Sequence, residues 1–185
     1  MMETLYPHSL EAVPDEVKPV PWKVAKRIIE HFHYLKFAPA IHKFSLGVYL
    51  EDDLCGVLMF SKPCARLEDQ ENTLELSRMY LFEGPKNSES KALSLAEKWI
   101  KQNTEFDRVI SYADTEIHAG TIYKAANWKA VGLTRPHTWN SAARTDSRHR
   151  RGIIGGKKIK FERIIKRKRG TVNKQSLRMN ENGKL

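Results

Sequence analysis

The sequence predicts an α/β fold in which helices flank a mixed, twisted sheet. Apolar residues recur with helical spacing in residues 22–32 and 88–103. Short runs rich in β-branched and aromatic residues alternate with these helices, and we expect strands at 44–50, 54–60, 73–82 and 108–113. Such an alternation is typical of one sheet layer covered by helices. The chain of 185 residues is long enough for one domain with a hydrophobic core.

The first half of the chain predicts an extended segment, a helix and a hairpin. Four prolines within residues 1–21 predict an extended lead-in. The helix at 22–32 follows, with an apolar face. The strands 44–50 and 54–60 then flank an acidic turn at residues 51–53, which is the pattern of a β-hairpin.

The second half predicts a strand–helix–strand crossover. The strand at 73–82, the helix at 88–103 and the strand at 108–113 would give a parallel strand pair with a right-handed connection. Three further elements are expected downstream: a short helix at 120–127, a strand at 130–138, and a basic hairpin at 151–165 with its turn at Gly155-Gly156.

A polar loop after the third strand predicts an anion site. The strand LELSRMYL (74–81) leads towards the sequence NSESKAL (87–93), which starts the long helix. Free N–H groups at a helix N-terminus and the positive end of the helix dipole both favour a phosphate. Asn87 or Ser88 is expected to cap this helix. The candidate residues for a phosphorylated cofactor are Asn87, Ser88, Ser90 and Lys91.

A second run carries two candidate catalytic residues. A buried strand delivers Asp114 to its end, and the segment GTIYKAANW (120–128) carries Tyr123 on a short helix. Asp114 is expected either to cap a turn or helix or to orient Tyr123. Tyr123 is either a core aromatic residue or a proton donor in the site.

Taken together, the two runs resemble the layout of GNAT-type N-acyltransferases. The resemblance implies a splayed strand, here Met79, Tyr80 and Leu81, which holds acetyl-CoA or a related acyl donor together with the phosphate loop. It also implies that Tyr123 protonates the leaving thiolate. The loop departs from the glycine-rich loop that is usual there, because residues 86–91 contain no glycine and include Glu89.

The combination of LELSRMYL, NSESKAL, a strand ending in YAD (112–114) and GTIYKAANW resembles the Mom family over roughly residues 30–135. These are bacteriophage proteins with a GNAT-like fold that modify adenine in DNA. The resemblance implies conversion of adenine N6 to a methylcarbamoyl (acetamido) adduct, which shields DNA from restriction nucleases. It therefore implies double-stranded DNA as the partner and the host cytoplasm as the location.

Arg78 lies in an otherwise apolar strand, where an arginine needs a partner. Strict alternation along the strand places Arg78 on one face with Leu76 and Tyr80, and Glu75 on the opposite face. We expect Arg78 to meet Asp114 or a substrate phosphate.

His33 and Tyr34 follow the first helix, where GNAT folds shape the acceptor pocket. An HY pair recurs in the Mom family, so both are candidate catalytic residues, and plain surface residues are the alternative. Nitrogen and oxygen ligands for a transition metal such as iron would come from His33, Tyr34 and Asp114, with further histidines at 31, 42 and 118, although their sequence spacing gives no support.

The excess positive charge lies in one C-terminal segment. Residues 1–143 hold 17 Lys/Arg and 19 Asp/Glu, whereas residues 144–169 hold 12 Lys/Arg and 2 Asp/Glu. Phosphate backbones attract such a segment, and a solvated basic tail is the alternative. The candidate DNA-binding residues are Arg144, Arg148, Arg150, Arg151, Lys157, Lys158, Lys160, Lys166, Arg167, Lys168 and Arg169.

These observations predict four parts of the chain. They are an extended lead-in at 1–21, a GNAT-like catalytic domain at 22–140, a basic DNA-binding extension at 141–169 and a flexible tail at 170–185. The sequence leaves a homodimer open. A conventional GNAT N-acetyltransferase acting on a small-molecule or protein amine is the alternative function, and a non-enzymatic nucleic-acid-binding protein is the third.

Several classes of protein are disfavoured by composition. No apolar run approaches ~20 residues, so neither a transmembrane helix nor a membrane partner is expected. The N-terminus lacks the pattern of a signal peptide. Cys55 and Cys64 are expected to be free thiols in a reducing cytoplasm.

Overall fold

Nine strands and three helices make up the part of the chain that the structure describes, and seven of the strands form one sheet. The structure is a computed structural model that describes residues 12–134, 137–138 and 154–165. The elements are β1 (Glu16–Val20), α1 (Trp22–Phe32), β2 (Phe44–Leu50), β3 (Asp53–Ser61), β4 (Thr73–Leu81), α2 (Ser88–Asn103), β5 (Arg108–Asp114), α3 (Thr121–Ala125), β6 (Lys129–Leu133), β7 (His137–Thr138), β8 (Ile154–Gly155) and β9 (Lys158–Ile164).

The main sheet is mixed, as predicted, with strand order β1-β2-β3-β4-β5-β9-β6. The pair β4/β5 is parallel, and the other neighbours in this sheet are antiparallel. Helix α2 connects the parallel pair, which confirms the crossover. Strand β1 lies at an edge, where Pro19 costs little because an edge strand has one row of unpaired backbone groups.

Strands β4 and β5 separate along their length. Their parallel pairing runs from Thr73↔Arg108 to Leu76↔Ser111 and stops there. Strand β4 continues to Leu81, paired with β3, and β5 continues to Asp114, paired with β9. The two strands therefore form a fork that opens after Leu76 and Ser111, and we call this gap the fork.

A β-bulge at Ser77 changes the faces along β4. Arg78 is opposite Met59 of β3, but Leu76 is opposite Phe60, so Ser77 is one extra residue on β4. Met59 belongs to the core under α1, whereas Phe60 and Leu76 belong to the core on the other face. The expectation that Arg78 shares a face with Leu76 and faces away from Glu75 is therefore wrong.

The two faces of the sheet carry separate cores. Helix α1 covers one face through Ala25, Ile28 and Ile29, which pack near Val57 and Met59. Helices α2 and α3 cover the other face over a larger core with Leu58, Phe60, Leu74, Ala92, Ile100, Val109 and Phe161. The bounds of α1 and α2 match the sequence prediction, because each presents an apolar stripe at helical spacing.

The basic C-terminal segment contributes a strand to the main sheet. Strand β9 lies between β5 and β6, with Ile159 and Phe161 on the α2 face. The predicted hairpin at 151–165 is wrong, because β8 pairs with β7 and β9 pairs with β5 and β6. Part of the segment 141–169 thus completes the same sheet as residues 16–133.

Within the described residues, no helix is long and apolar enough to cross a membrane.

Candidate active site

Four of the five predicted catalytic residues lie on the α1 face near the fork. His33 and Tyr34 follow α1 directly, Arg78 lies on the free half of β4, and Asp114 ends β5. Burial lowers the pKa of His33 and raises that of Tyr34, and the charge of Arg78 acts on both groups while that of Asp114 acts on Tyr34, so the residues are electrostatically linked. The folding of three separate segments thus brings together residues that are distant in sequence.

His33 is held as a neutral imidazole. Its backbone N–H donates to the Ile29 carbonyl and ends α1, and its Nδ1 accepts the Leu35 N–H at 3.1 Å. The side chain is 8% exposed. Burial, with the positive charge of Arg78 second, lowers the pKa of His33 to about 4. With Nδ1 as acceptor, Nε2 carries the proton and can donate it to a ligand.

Tyr34 offers an exposed ring beside this imidazole. Its ring stacks on His33 with centroids 4.4 Å apart and meets His118 edge-on at 5.7 Å. The side chain is 48% exposed, although partial burial and Asp114 raise the pKa of its phenol. A half-exposed aromatic ring at the edge of a site is suited to stacking on a planar group.

Arg78 is fixed by the segment that follows α1. Its Nε donates to the Phe37 carbonyl at 3.2 Å, and its guanidinium lies 4.7 Å from the centre of the Phe37 ring. Its Nη1 donates to the Ser77 carbonyl at 2.5 Å, next to the bulge. These contacts orient a positive charge beside His33 and Tyr34, where it favours an anionic group.

Asp114 organises the turn that leads to α3. Its Oδ1 accepts the Glu116 N–H at 3.1 Å, and its carbonyl accepts the His118 N–H at 2.7 Å. This places the His118 ring against Tyr34. Asp114 therefore shapes the turn, one of the two roles expected for it, and it also puts a negative charge near the Tyr34 phenol.

Tyr123 reaches the fork from the opposite face. Its hydroxyl lies 2.9 Å from Ser111 Oγ, which donates to the Leu76 carbonyl at the last paired position of β4 and β5. Its ring stacks on Phe161 of β9 at 4.7 Å. Burial raises the pKa of Tyr123, and Tyr34 raises it further. Tyr34, on the other face of the sheet, is therefore close enough to influence the Tyr123 phenol electrostatically.

Gly120, the first residue of the GTIY segment, occupies a position that requires glycine. It has φ +71°, and a Cβ at this position would meet the ring of Phe161. Only glycine combines that backbone conformation with such a close approach. The start of α3 therefore packs directly on β9, and this packing sets the position of Tyr123.

The free half of β4 presents backbone groups to the fork. The Phe82 N–H donates to the Cys55 carbonyl of β3, so by alternation Tyr80 also points its backbone groups towards β3. Met79 and Leu81 then point theirs towards the fork, where β5 has diverged. The Tyr80 ring packs on Phe32, at 5.5 Å, on the α1 face.

The loop before α2 differs from the expectation in its capping. Asn87 occupies the N-cap position, as predicted, with a left-handed backbone at φ 74°, but its side chain makes no capping hydrogen bond. Ser88 Oγ donates to the Pro85 carbonyl at 2.7 Å, and Ser90 Oγ donates to the Asn87 carbonyl at 3.0 Å. The Ser88 N–H donates to the Pro85 carbonyl at 3.2 Å, and no side chain caps the N–H groups of Glu89 and Ser90, which can therefore face an anion.

The candidate metal ligands do not form a metal centre. No three His, Cys, Asp or Glu side chains come together as a metal site in the part of the chain that the structure describes. His42 Nε2 lies 2.8 Å from Ser45 Oγ, and the Nδ1 lone pair of His33 is taken by the Leu35 N–H. In this arrangement His33 presents only its protonated Nε2 and has no free lone pair for a metal.

Glu75 is a buried acid that the sequence pattern placed on the wrong face. It is 8% exposed, and its Oε2 accepts the Cys64 N–H at 2.9 Å. Burial raises the pKa of Glu75, against the opposing influence of Arg78. Burial and the charge of Glu75 also raise the pKa of Tyr112 to about 12. An acidic residue within an apolar strand indicates a buried carboxylate, but the sequence does not show the bulge at Ser77, which changes the face of the sheet on which Glu75 lies relative to Arg78.

Three of the predicted DNA-binding residues lie among the described residues. Lys157 is exposed, Lys158 is opposite Asp114 in the ladder of β5 and β9, and Lys160 forms an ion pair with Glu68. Arg108 joins the same network through Glu68 and Glu162. The charge of Lys160 is thus used within the fold. The other candidates lie outside the described residues: Arg144, Arg148, Arg150, Arg151, Lys166, Arg167, Lys168 and Arg169.

Comparison with solved structures defines the class of fold. The chain superposes with a GNAT-family acetyltransferase from Streptococcus pneumoniae at a TM-score of 0.51 and 9% identity, over 81% of this chain and 98% of that one. A GNAT-family acetyltransferase from Bacillus cereus gives a TM-score of 0.50 and 13% identity, over 82% and 98%. The protein therefore has a GNAT-like fold.

The chain belongs to the Mom protein family, whose sequence model matches residues 15–182. The protein named methylcarbamoylase mom, from Escherichia phage Mu, is 32% identical over 120 residues. That match covers 59% of this chain and 50% of the phage Mu protein, so the chain spans about half the length of this relative. The family resemblance read from the motifs is confirmed.

Proposed function

We propose that this protein is a DNA-modifying transferase that converts adenine N6 in DNA to N6-methylcarbamoyl (acetamido) adenine and so protects DNA from restriction nucleases. One observation carries the proposal: the HY pair, Arg78 and Asp114 lie on the α1 face beside the fork of a GNAT-like sheet, and the Tyr123 hydroxyl lies at the rung where the fork opens. Membership of the Mom family and the name of the phage Mu relative support it.

The acceptor side of the site is suited to an extruded base. Adenine N6 is paired inside a duplex, and enzymes that act on a base take it out of the stack at a cost of a few kcal/mol. The exposed ring of Tyr34, backed by His33 at 4.4 Å, offers a stacking platform. Stacking of a base on an aromatic ring contributes about 1–3 kcal/mol, which offsets much of that cost.

The donor side of the site fits an acyl-CoA. The backbone groups of Met79 and Leu81 face the fork and can pair with a pantetheine arm, and the uncapped first turn of α2 can accept the pyrophosphate. Such a cofactor supplies an activated thioester. Burial keeps the Tyr123 phenol protonated, so its hydroxyl, now 2.9 Å from Ser111 Oγ, is able to donate a proton to a leaving thiolate.

The chemistry of the product separates this proposal from simple acetylation. Transfer of an acetyl group would give an N6-acetyl amide, whereas the methylcarbamoyl adduct joins N6 to a CH₂ that bears a carboxamide. Formation of that adduct requires, besides the thioester, a nitrogen donor for the carboxamide and a two-electron oxidant for the methyl carbon. The two adducts differ in mass, so the modified nucleoside identifies the reaction.

Protection from nucleases tests the proposal. Plasmid recovered from cells that express the protein is expected to resist nucleases whose recognition sites contain adenine. Nucleases with recognition sites made only of G·C pairs are the matched control and are expected to cut normally. Full cutting at every adenine-containing site, with the folded protein present, would overturn the proposal.

A conventional GNAT N-acetyltransferase is the second candidate, favoured by the fold likeness. It predicts turnover of acetyl-CoA on a small-molecule or protein amine without DNA. Deletion of residues 166–185 would leave such an activity unchanged. A deletion from residue 144 is unsuitable, because it would also remove β9 from the middle of the sheet.

A further inference from the structure

The outward face of α1 is basic and aromatic, in a body whose first 143 residues carry more acids than bases. A shallow depression on this helix is lined by Trp22, Lys23, Lys26, Arg27, Glu30 and His31, which we call the α1 basic face. Its three cations outnumber the single acid. We propose that the α1 basic face binds the phosphate backbone of the DNA beside the target adenine; this inference rests on the proposed function.

The position of the charges follows from the helix itself. Ala25, Ile28 and Ile29 are fully buried against the sheet, so the opposite side of the helix points outward. Lys23 and Arg27 are exposed and lie one turn apart, about 6 Å along the axis. Lys26 lies over the Trp22 ring at 4.8 Å and within 3.7 Å of Glu30, so that acid already has a partner.

The direction of α1 places this face next to the site. The helix ends at Phe32, and His33 and Tyr34 follow it immediately. The 11 residues of α1 span roughly 16 Å, which corresponds to roughly five base pairs at 3.4 Å each. A duplex whose flipped adenine meets Tyr34 would therefore pass its flanking phosphates along α1.

Neighbouring groups extend the same chemistry. Lys36 donates to the His31 carbonyl and so places a cation over the negative end of the helix dipole. Lys43 is exposed at the start of β2. Trp22 is 38% exposed and lies beside His42, with ring centroids 6.3 Å apart. Cations interleaved with aromatic side chains are the footprint of a nucleic-acid surface, whereas a generic acidic protein needs no aromatic rings.

A pair of charge-matched double variants tests the inference. Lys23→Gln with Arg27→Gln removes two cations from the α1 basic face. Lys98→Gln with Lys101→Gln removes two exposed cations from α2, on the opposite face of the sheet. The affinity of the full-length protein for a duplex is measured by fluorescence anisotropy over a range of salt concentrations.

The α1 variant is expected to bind DNA at least tenfold more weakly, and its log–log salt slope should fall by about 2, since each phosphate contact contributes about 0.9. The α2 variant should keep the wild-type slope. An unchanged slope in the α1 variant, or an equal loss in both variants, would overturn the inference. Adenine modification is measured separately. If DNA binding depends on α1 but no modified adenine forms, the α1 basic face is a DNA-binding surface and the proposed function is wrong.

Discussion

Tyr123 combines packing and chemistry in one side chain. Its ring is part of the larger core. Its hydroxyl is hydrogen-bonded to Ser111 Oγ at the point where β4 and β5 separate. At the level of single residues, the phenol would supply a proton to the leaving group in the proposed reaction, while the ring stabilises the core.

The variant Tyr123→Phe separates these two roles. Loss of the hydroxyl is expected to lower adenine modification by 10²–10⁴-fold, the usual contribution of a proton donor. Thermal stability should fall by only about 1 kcal/mol, since one hydrogen bond is lost. Ser111→Ala is the control, because it removes the hydrogen bond to the Tyr123 hydroxyl, together with the one to the Leu76 carbonyl, and keeps the phenol. Equal losses of modification in both variants would make the role structural.

His33 makes stability depend on pH with a definite sign. Its folded pKa, about 4, lies below the unfolded value of 6.5, so between these values the unfolded chain binds more protons. The free energy of unfolding should therefore fall as pH falls from 6.5 towards 4. Relative to His33→Gln, the wild type is expected to lose on the order of 1 kcal/mol more between pH 7.5 and 5 in urea titrations. Parallel curves for both proteins would contradict the assigned environment.

Glu75 is expected to act in the opposite direction. Burial raises its folded pKa, so the folded state keeps its proton longer and loses stability as pH rises above the unfolded value. Glu75→Gln keeps an acceptor for the Cys64 N–H and removes the buried charge. Its stability relative to the wild type should improve between pH 4.5 and pH 7.5, measured by thermal unfolding. A difference that does not change with pH would show that Glu75 is not desolvated.

At the element scale, the free half of β4 depends on a close contact with β3. A Cβ at Gly56 would meet the Tyr80 carbonyl and would lie 2.8 Å from Leu81 Cα, both of them backbone atoms that cannot move aside. The proposed pantetheine-binding stretch is therefore positioned by a glycine on the neighbouring strand.

The variant Gly56→Ala tests that contact. Overpacking against backbone is expected to cost about 1–3 kcal/mol of stability and to weaken coenzyme A binding, because β4 must shift. Gly132→Ala on β6 is the matched control, since no atom lies within 4 Å of its Cβ position. Calorimetric titration with coenzyme A gives the affinity. A Gly56→Ala protein with the affinity and melting temperature of the control would exclude this role of β3.

The comparison of elements shows which features local sequence determines. The helices α1 and α2 were predicted with the correct bounds because each carries an apolar stripe that does not depend on distant residues. Alternation along the sequence does not predict the faces of Arg78 and Glu75, because the bulge at Ser77 arises from the pairing of β4 with β3. The partners of β9 were missed for a similar reason, since alternation predicts a strand but not its neighbours.

In the candidate site, too, local sequence identifies the residues but does not give their positions relative to one another. Motifs identified Tyr34, Asp114 and Tyr123 as candidates, but their positions on the two faces of the sheet beside the fork depend on the pairing of β4 and β5. His118 and Ser111 gain their positions from the turn after β5 and from the last rung of the ladder. The spacing of residues along the sequence predicts neither of these two positions.

At the scale of the whole molecule, some of the positive charge of the basic C-terminal segment belongs to the folded sheet. The basic segment supplies β9, and Lys160 on that strand pairs with Glu68 in the connection between β3 and β4. Arg163 of β9 binds Glu97 of α2 at 2.8 Å, and the same carboxylate accepts the Trp128 indole N–H at 2.7 Å. Part of the positive charge therefore stabilises the sheet, and α1 adds a second basic surface near the site.

Mass spectrometry of deoxynucleosides from plasmid DNA of cells that express the protein shows directly whether adenine is modified and by which group. The wild type should yield a deoxyadenosine with the mass of the methylcarbamoyl adduct. Asp114→Asn, which keeps the turn acceptor, should lower its amount at least 100-fold, and Asp52→Asn on the fully exposed β2–β3 turn should leave it unchanged. Unmodified adenine from cells with well-folded wild-type protein, or an adduct with the mass of N6-acetyladenine, would contradict the account.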